Sequence, residues 1–261
     1  MGCLGSSPGL CTDGNHAEGE GMRSDGRKAA DIRPVRITTE FTKHADGSVL
    51  IEMGQTRVIC TATVEEQVPA FLRETSRGWV TAEYGMLPGS SGIRIPREST
   101  RGRVGGRTHE IQRLIGRSLR AVTNLEVVGP RTLWIDCDVI EADGGTRTAS
   151  ITGAWVALAL AFRRLRAAGK IGADPLTGSV AAVSAGVVDG KALLDLRYDE
   201  DSRAEVDMNF VMTEAGEFVE VQGTAESKPF TQAHLRELTD LAWRGVKQLT
   251  RIQHDVLAAH A

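Results

Sequence analysis

The chain has 261 residues, of which 41% are hydrophobic and 25% are charged, and these values are ordinary for a soluble globular protein. Its formal net charge of −3 gives no indication of nucleic-acid binding. No apolar run approaches the roughly 18 residues of a membrane span. The length allows one large domain or two small ones with a sizeable core.

The four cysteines give no indication of a zinc site, because no two of them have CxxC spacing. Cys60 and Cys137 lie in apolar, strand-like runs and are predicted to be buried thiols, whereas Cys3 and Cys11 precede the first such run. We therefore expect a reducing, cytoplasmic environment and no membrane partner.

Residues 1–21 differ from the rest of the chain because they are rich in Gly and Ser and have no periodicity. Their start, Met1-Gly2-Cys3-Leu4-Gly5-Ser6, fits the short pattern for N-myristoylation. The pattern would predict a lipid anchor to a membrane. We favour instead a disordered extension or a start codon placed too early, with Met22 the working start. Residues 22–261 are then expected to form a single domain.

Strands are predicted first, at 35–41, 48–53 and 57–64, as an antiparallel meander with Asp46-Gly47 as its first turn signal. Residues 73–106 contain Gly, Ser, Pro and Arg with little periodicity and are predicted to be a long loop. A helix follows at 107–121, then a strand at 131–140 and a mostly apolar core helix at 148–168. The apolar stripe of the first helix consists of Ile111, Leu114, Ile115, Leu119 and Val122.

The second half is again rich in strands. Predicted strands at 179–188 and 191–196 flank Asp189-Gly190, a strong hairpin signal. Strands at 205–212 and 217–223 flank Ala215-Gly216, and an amphipathic helix at 231–258 closes the chain. Runs of strands separated by single helices predict an α+β fold.

A basic stretch lies between Arg94 and Arg120, where eight arginines face only Glu98 and Glu110. Such a local excess is typical of a polyanion-binding surface, and arginine favours bidentate phosphate contacts. The alternative is a solvated helix face that pairs with acids on a neighbouring subunit. We favour phosphate, because several arginines precede the helix and Arg107 opens it after Gly105-Gly106, where free N–H groups attract anions.

Two further sequence patterns indicate candidate binding or catalytic sites. The run Asp143-Gly144-Gly145-Thr146-Arg147 follows a strand and precedes a helix, so it is either a phosphate cradle or a plain capped turn. Six acids between Asp195 and Asp207 are either a solvated acidic loop or the source of a two-carboxylate magnesium site. No Ser-His-Asp or Cys-His arrangement can be located, which fits a reaction whose nucleophile is inorganic phosphate.

The chain resembles ribonuclease PH from about residue 33 to about residue 253, and the glycine run and part of the basic stretch lie in the matching runs. The matching runs are 43–50, 78–88, 105–108, 111–117, 136–140, 142–154 and 221–226. The resemblance implies the ribonuclease PH-type fold, which is shared with a ribosomal protein domain and has βαβ units and mixed sheets packed with helices. It also implies a ring, usually a homo-hexamer built as a trimer of dimers.

The activity implied by the resemblance is that of a tRNA nucleotidyltransferase, a phosphorolytic 3′→5′ exoribonuclease that trims tRNA precursors, with rRNA as a further candidate substrate. Inorganic phosphate is the co-substrate, nucleoside 5′-diphosphates are released, and the reverse reaction adds nucleotides. The phosphate ligands correspond to Arg107, Gly145, Thr146 and Arg147. The catalytic and Mg²⁺-binding aspartates correspond to Asp201 and Asp207, and RNA-binding arginines to Arg94 and Arg97.

The chain departs from the family pattern after Pro88, where Gly89-Ser90-Ser91-Gly92 stands in place of a segment that usually carries an arginine. We expect RNA binding to be weaker or differently placed there, with phosphate chemistry intact. The alternative function is a non-catalytic RNA-binding subunit of an exosome-like ring. A polynucleotide phosphorylase-type enzyme is disfavoured, because that family duplicates this core.

Overall fold

The computed structural model describes residues 23–226 and 228–260, so the predictions made for residues 1–21 lie outside the described residues. The described chain forms two sheets and five α-helices. In chain order the elements are β1 (Val35–Thr39), β2 (Gly47–Met53), β3 (Thr56–Glu65), β4 (Trp79–Met86), α1 (Gly106–Ala121), α2 (Leu125–Val128), β5 (Thr132–Glu141), α3 (Thr146–Ala167), β6 (Val180–Val188), β7 (Lys191–Leu194), α4 (Tyr198–Asp201), β8 (Val206–Thr213), β9 (Phe218–Ala225) and α5 (Gln232–Ala259).

The first sheet has the strand order β1-β2-β3-β5-β4, in which β4 is parallel to β5 and the other neighbours are antiparallel. The second sheet has the order β7-β6-β8-β9 and is antiparallel throughout. The strands thus form two mainly antiparallel sheets with helices packed against them, which confirms the α+β prediction. The antiparallel pairing of β1 with β2 and of β2 with β3 confirms the predicted meander.

The apolar helix α3 lies between the sheets and contacts strands of both. Every residue from 148 to 162 is buried, as predicted for a core helix. The helix approaches β2 so closely that a Cβ atom on Gly47 would lie 2.0 Å from the carbonyl oxygen of Ala157. Gly47 therefore serves packing within β2, and the prediction of Asp46-Gly47 as a hairpin turn is wrong, since residues 40–46 form the connection.

The predicted loop at 73–106 is also wrong over part of its length, because it contains β4. Val80, Ala82 and Tyr84 are buried at alternate positions, which is the period of a half-buried strand. Glycines and charged residues around this run obscured the pattern. The strand is held by parallel pairing with the distant β5 and by packing against α1, neither of which is encoded locally.

Other predictions hold. Asp189 and Gly190 both have positive φ, 50° and 72°, as a tight hairpin requires. The predicted stripe of α1 is buried. Cys60 and Cys137 are buried free thiols on neighbouring strands, with their Sγ atoms 3.8 Å apart. Among the helices that the structure describes, none is long and apolar enough to cross a membrane.

Candidate active site

A glycine turn precedes α3 and sets the floor of the site. Gly144 and Gly145 have φ values of 75° and 64°, a region that residues with a side chain rarely adopt. A Cβ atom on Gly144 would lie 2.7 Å from the carbonyl oxygen of Leu196. No side chain caps the start of α3, so its first N–H groups are available to an anion.

The glycine turn is one wall of a cleft of about 240 Å³. The cleft gathers residues from the starts of α1 and α3, from α4 and from β8. Its lining consists of Met86, Ser91, Arg107, Ala142, Gly144, Gly145, Thr146, Arg147, Ser184, Tyr198, Asp201, Asp207 and Asn209. The six residues predicted to bind phosphate or to act as catalytic carboxylates therefore line a single cleft, although 100 residues of sequence separate Arg107 from Asp207.

The cationic side of the cleft is formed by two arginines at helix starts. Arg107 lies exposed in the first turn of α1. Arg147 is more confined, because its Nη1 donates to Gln222 Oε1 at 2.6 Å and lies 3.5 Å from Glu110 Oε1. Helix N-termini and guanidinium groups together favour a bound anion.

Thr146 is held by a residue that the sequence did not identify. The hydroxyl of Tyr84, in β4, lies 2.9 Å from Thr146 Oγ1. Burial raises the pKa of Tyr84, so its hydroxyl keeps its proton at neutral pH. The strand missed in the sequence therefore orients a hydroxyl of the cleft.

Asp201 and Asp207 form the acidic side. Burial and, to a smaller extent, the nearby Asp201 raise the pKa of Asp207 to about 6, although Arg147 opposes the change. Burial also raises the pKa of Asp201, against the effect of Arg107 and Arg147. The Oδ1 atom of Asp207 is buried, and it has no hydrogen-bond partner in the described part of the chain. A buried oxygen atom without a hydrogen-bond partner destabilises the folded protein unless a bound ligand contacts it.

A buried ion pair supports the glycine turn from behind. Asp195 is 0% exposed and accepts hydrogen bonds from the Nε and Nη2 atoms of Arg33, at 3.0 and 2.7 Å. Arg33 also donates to the carbonyl oxygen of Asp143, and Thr56 donates to that of Gly144 at 2.7 Å. The backbone of the turn is thereby fixed by side chains of the first sheet and of the segment before it.

The two predicted RNA-binding arginines are placed differently. Arg97 is exposed and lines a second cavity of about 380 Å³, which shares Met86 and Arg107 with the cleft. Arg94 is exposed and lines neither of the two cavities. The structure therefore brings Arg97, but not Arg94, next to the predicted phosphate ligands.

Among the residues of the site that were missed in the sequence are Tyr84, Ser184, Tyr198 and Asn209. Asn209 had a usable signal, because it lies two positions after Asp207 on a predicted strand and so shares its face. Tyr198 lies among the acids and is 64% exposed at the cleft. Ser184 had no signal, since an apolar strand surrounds it.

Known proteins share both the sequence pattern and the fold. Residues 31–163 match the model of domain 1 of the 3′ exoribonuclease family, and residues 178–245 match that of domain 2. The fold is similar to rice (Oryza sativa) Rrp46, with a TM-score of 0.73 and 17% identity over 90% of this chain and 100% of that one.

Two archaeal structures are similar to a comparable degree. The Archaeoglobus fulgidus exosome with RNA bound to the active site gives a TM-score of 0.75 at 21% identity, covering 88% of this chain and 91% of its own. An archaeal exosome core gives 0.71 at 20% identity, covering 89% and 91%. At these identities the structures establish the fold, and the two matched segments establish the family. The chain belongs to the ribonuclease PH-type 3′ exoribonuclease family.

Proposed function

We propose that this protein is a phosphorolytic 3′→5′ exoribonuclease that trims the 3′ ends of tRNA precursors, as a tRNA nucleotidyltransferase does. The observation that carries the proposal is the convergence in one cleft of two arginines, an uncapped helix start and two half-buried carboxylates. Cationic groups and carboxylates at the same point suit a reaction between two phosphate groups.

Inorganic phosphate is proposed to bind at the cationic side of the cleft. Arg107 and Arg147 would supply charge-assisted hydrogen bonds, while Gly145 and Thr146 would supply backbone N–H and hydroxyl donors. Phosphate needs several donors at fixed angles, and the left-handed turn at Gly145 lets the backbone reach it without a side chain in between.

Asp201 and Asp207 are proposed to hold Mg²⁺. The described residues contain no group of three or more His, Cys, Asp or Glu placed to bind a metal, but Mg²⁺ keeps several waters and needs only one or two carboxylates. The unpartnered Oδ1 of Asp207 fits such a ligand. When bound, the ion would offset negative charge at the reacting phosphate groups.

The proposed reaction balances without a protein nucleophile. An oxygen of hydrogen phosphate bonds to the phosphorus of the last linkage, and the bond from that phosphorus to the 3′ oxygen of the preceding nucleotide breaks. The proton of hydrogen phosphate ends on the departing 3′ oxygen. The products are a nucleoside 5′-diphosphate and an RNA shortened by one nucleotide, and excess nucleoside 5′-diphosphate drives the reverse addition.

The substrate and assembly form part of the same proposal. Arg97, beside Arg107, together with Arg94 would guide the RNA 3′ end toward the cleft. The chain would assemble as a homo-hexameric ring, with six times the chain mass of 28.1 kDa in light scattering. The free thiols Cys60 and Cys137 are consistent with a reducing, cytoplasmic setting.

The alternative is a non-catalytic RNA-binding subunit of an exosome-like ring. The two similar archaeal structures are exosome assemblies, which fits a ring subunit of this kind. The residues favour catalysis, since all six predicted phosphate and carboxylate positions are filled by suitable side chains or glycine and face one cleft.

Incubation of the purified protein with a 3′-extended tRNA, with and without inorganic phosphate, tests the proposal. We expect nucleoside 5′-diphosphates only when phosphate is present. An unstructured RNA of equal length in parallel tests the preference for tRNA. Nucleoside monophosphates would indicate hydrolysis, and intact RNA that is nevertheless bound would favour the non-catalytic alternative.

A further inference from the structure

Two arginines ahead of the first strand are buried outside the cleft lining. Arg23 and Arg27 are 8% and 9% exposed, although arginine is rarely buried unless it is paired. Both lie before residue 31, where the family match begins, and neither lines the cleft. Their burial therefore requires an explanation other than direct contact with phosphate.

The partners of these arginines lie at or just after the end of β7, in α4 and in the arginines' own segment, where Asp25 Oδ2 accepts from Arg27 Nε at 2.7 Å. Arg23 binds both carboxylate oxygens of Glu200, with its Nε 2.6 Å from Oε1, and its Nη1 donates to the carbonyl oxygen of Leu194 at 2.6 Å. Arg27 donates to the carbonyl oxygen of Asp195 at 2.9 Å, and its Nη2 lies 3.6 Å from Glu200 Oε2. We refer to Arg23, Arg27 and Glu200 as the arginine clamp.

The clamp contacts α4, a helix that is too short to be stable by itself. α4 has only four residues, and isolated helices shorter than about 12 residues are marginal in water. Glu200 is 3% exposed and also accepts from the backbone N–H of Arg197, which starts α4. The backbone N–H of Asp201 in turn donates to the carbonyl oxygen of Arg197 at 2.8 Å. The placement of Asp201 therefore depends on contacts made by Glu200.

We propose that Arg23 and Glu200 are positioning residues, through which the segment before β1 holds α4 so that Asp201 faces the phosphate-binding turn. The inference rests on the proposed function, since it assigns the clamp a task in the same reaction. A buried ion pair adds little stability compared with apolar residues of equal size, and in some proteins its role is to fix one geometry. The clamp fixes one geometry at the helix that carries a cleft carboxylate.

Kinetics of two variants test the proposal. Arg23→Gln and Glu200→Gln should each lower kcat about tenfold to hundredfold, the cost of a misplaced reacting group. The KM for phosphate should change less than about twofold, because the turn that would bind phosphate keeps its own contacts with Arg33 and Thr56. Arg36→Gln is the matched control, since that side chain is 78% exposed. Unchanged kcat in both variants would overturn the proposal.

A double-variant comparison separates positioning from general destabilisation. If the clamp acts through Asp201, then adding Arg23→Gln to Asp201→Asn should lower kcat no further. Full additivity of the two losses would overturn the proposal. Arg23→Lys keeps the charge without the bidentate contact and should recover part of kcat, so this variant carries the test if Arg23→Gln does not fold.

Hydrogen exchange separates failure of this proposal from failure of the proposed function. In Arg23→Gln or Arg23→Lys, amides of residues 198–205 should exchange faster while those of α3 keep their protection. This readout needs no activity, so an inactive wild-type protein with the local exchange change would refute the function and leave the clamp supported. Equal exchange at residues 198–205 in variant and wild type would refute the clamp.

Discussion

The cleft and the loop at residues 87–105 each supply at least one exposed arginine, but in the cleft the arginines stand beside groups that are held in place. In the cleft, Arg147 has a hydrogen bond to Gln222, and the turn beside it is fixed by the buried pair of Arg33 and Asp195. In the loop, Arg94 and Arg97 are exposed, and the neighbouring Ile93 is 82% exposed. A reacting phosphate needs fixed geometry, whereas guiding a polyanion needs mainly charge.

The largest effect is expected in the cleft. Asp201→Asn or Asp207→Asn should lower the phosphorolysis rate at least about a hundredfold, because charge stabilisation at the reacting phosphate groups is worth several kcal/mol. RNA binding should remain near that of the unchanged protein. Asp189→Asn, in an exposed turn, is the matched control. Normal trimming by both cleft variants would contradict the metal assignment.

The next effect concerns phosphate itself. Arg107→Ala should raise the phosphate KM about tenfold to hundredfold, since a hydrogen bond to a charged group contributes about 1.5–3 kcal/mol. Arg113→Ala, on the same helix and outside the cleft lining, should leave this KM unchanged. A similar phosphate KM in the two variants would remove the distinction between cleft and surface arginines.

The half-buried carboxylate of Asp207 predicts an effect on stability. Its folded-state pKa of about 6 exceeds the ordinary 3.8, so the folded state binds more protons than the unfolded state between these values. The free energy of unfolding therefore falls as pH rises through this window.

Asp207→Asn should consequently raise the free energy of unfolding by about 1–2 kcal/mol at pH 7. The gain should be mostly lost at pH 4, where the carboxyl is protonated in the folded protein. Urea unfolding at both pH values, with a chelator present, measures it. A gain of equal size at both pH values would show that the charge is not its cause.

The smallest effect is expected in the loop. Changing Arg94 and Arg97 together to Ala should weaken RNA binding and make the slope of log affinity against log salt shallower by up to about 1.4, at about 0.7 per phosphate contact. Exposed Arg36 and Arg251, changed together to Ala, provide the control. An unaltered slope would indicate that the loop arginines form a solvated surface.

Much of the local structure could be predicted because it depends on neighbours in sequence. The stripe of α1, the apolar α3 and the Asp189-Gly190 hairpin follow from periodicity and turn chemistry. β4 could have been found from its alternating Val80, Ala82 and Tyr84, but glycines and charges hid a strand whose pairing partner lies far along the chain.

The sequence by itself determined the α+β class and the glycine turn before α3. Through the family resemblance it also identified the six cleft residues predicted to bind phosphate or to act as catalytic carboxylates. Only the tertiary structure decided which side chains hold those six in place. Tyr84 meets Thr146, and Arg23 meets Glu200 across 177 residues of sequence. Periodicity and turn signals report which face of an element is buried. Hydrogen bonds and buried ion pairs depend on where distant elements meet, which no local pattern contains.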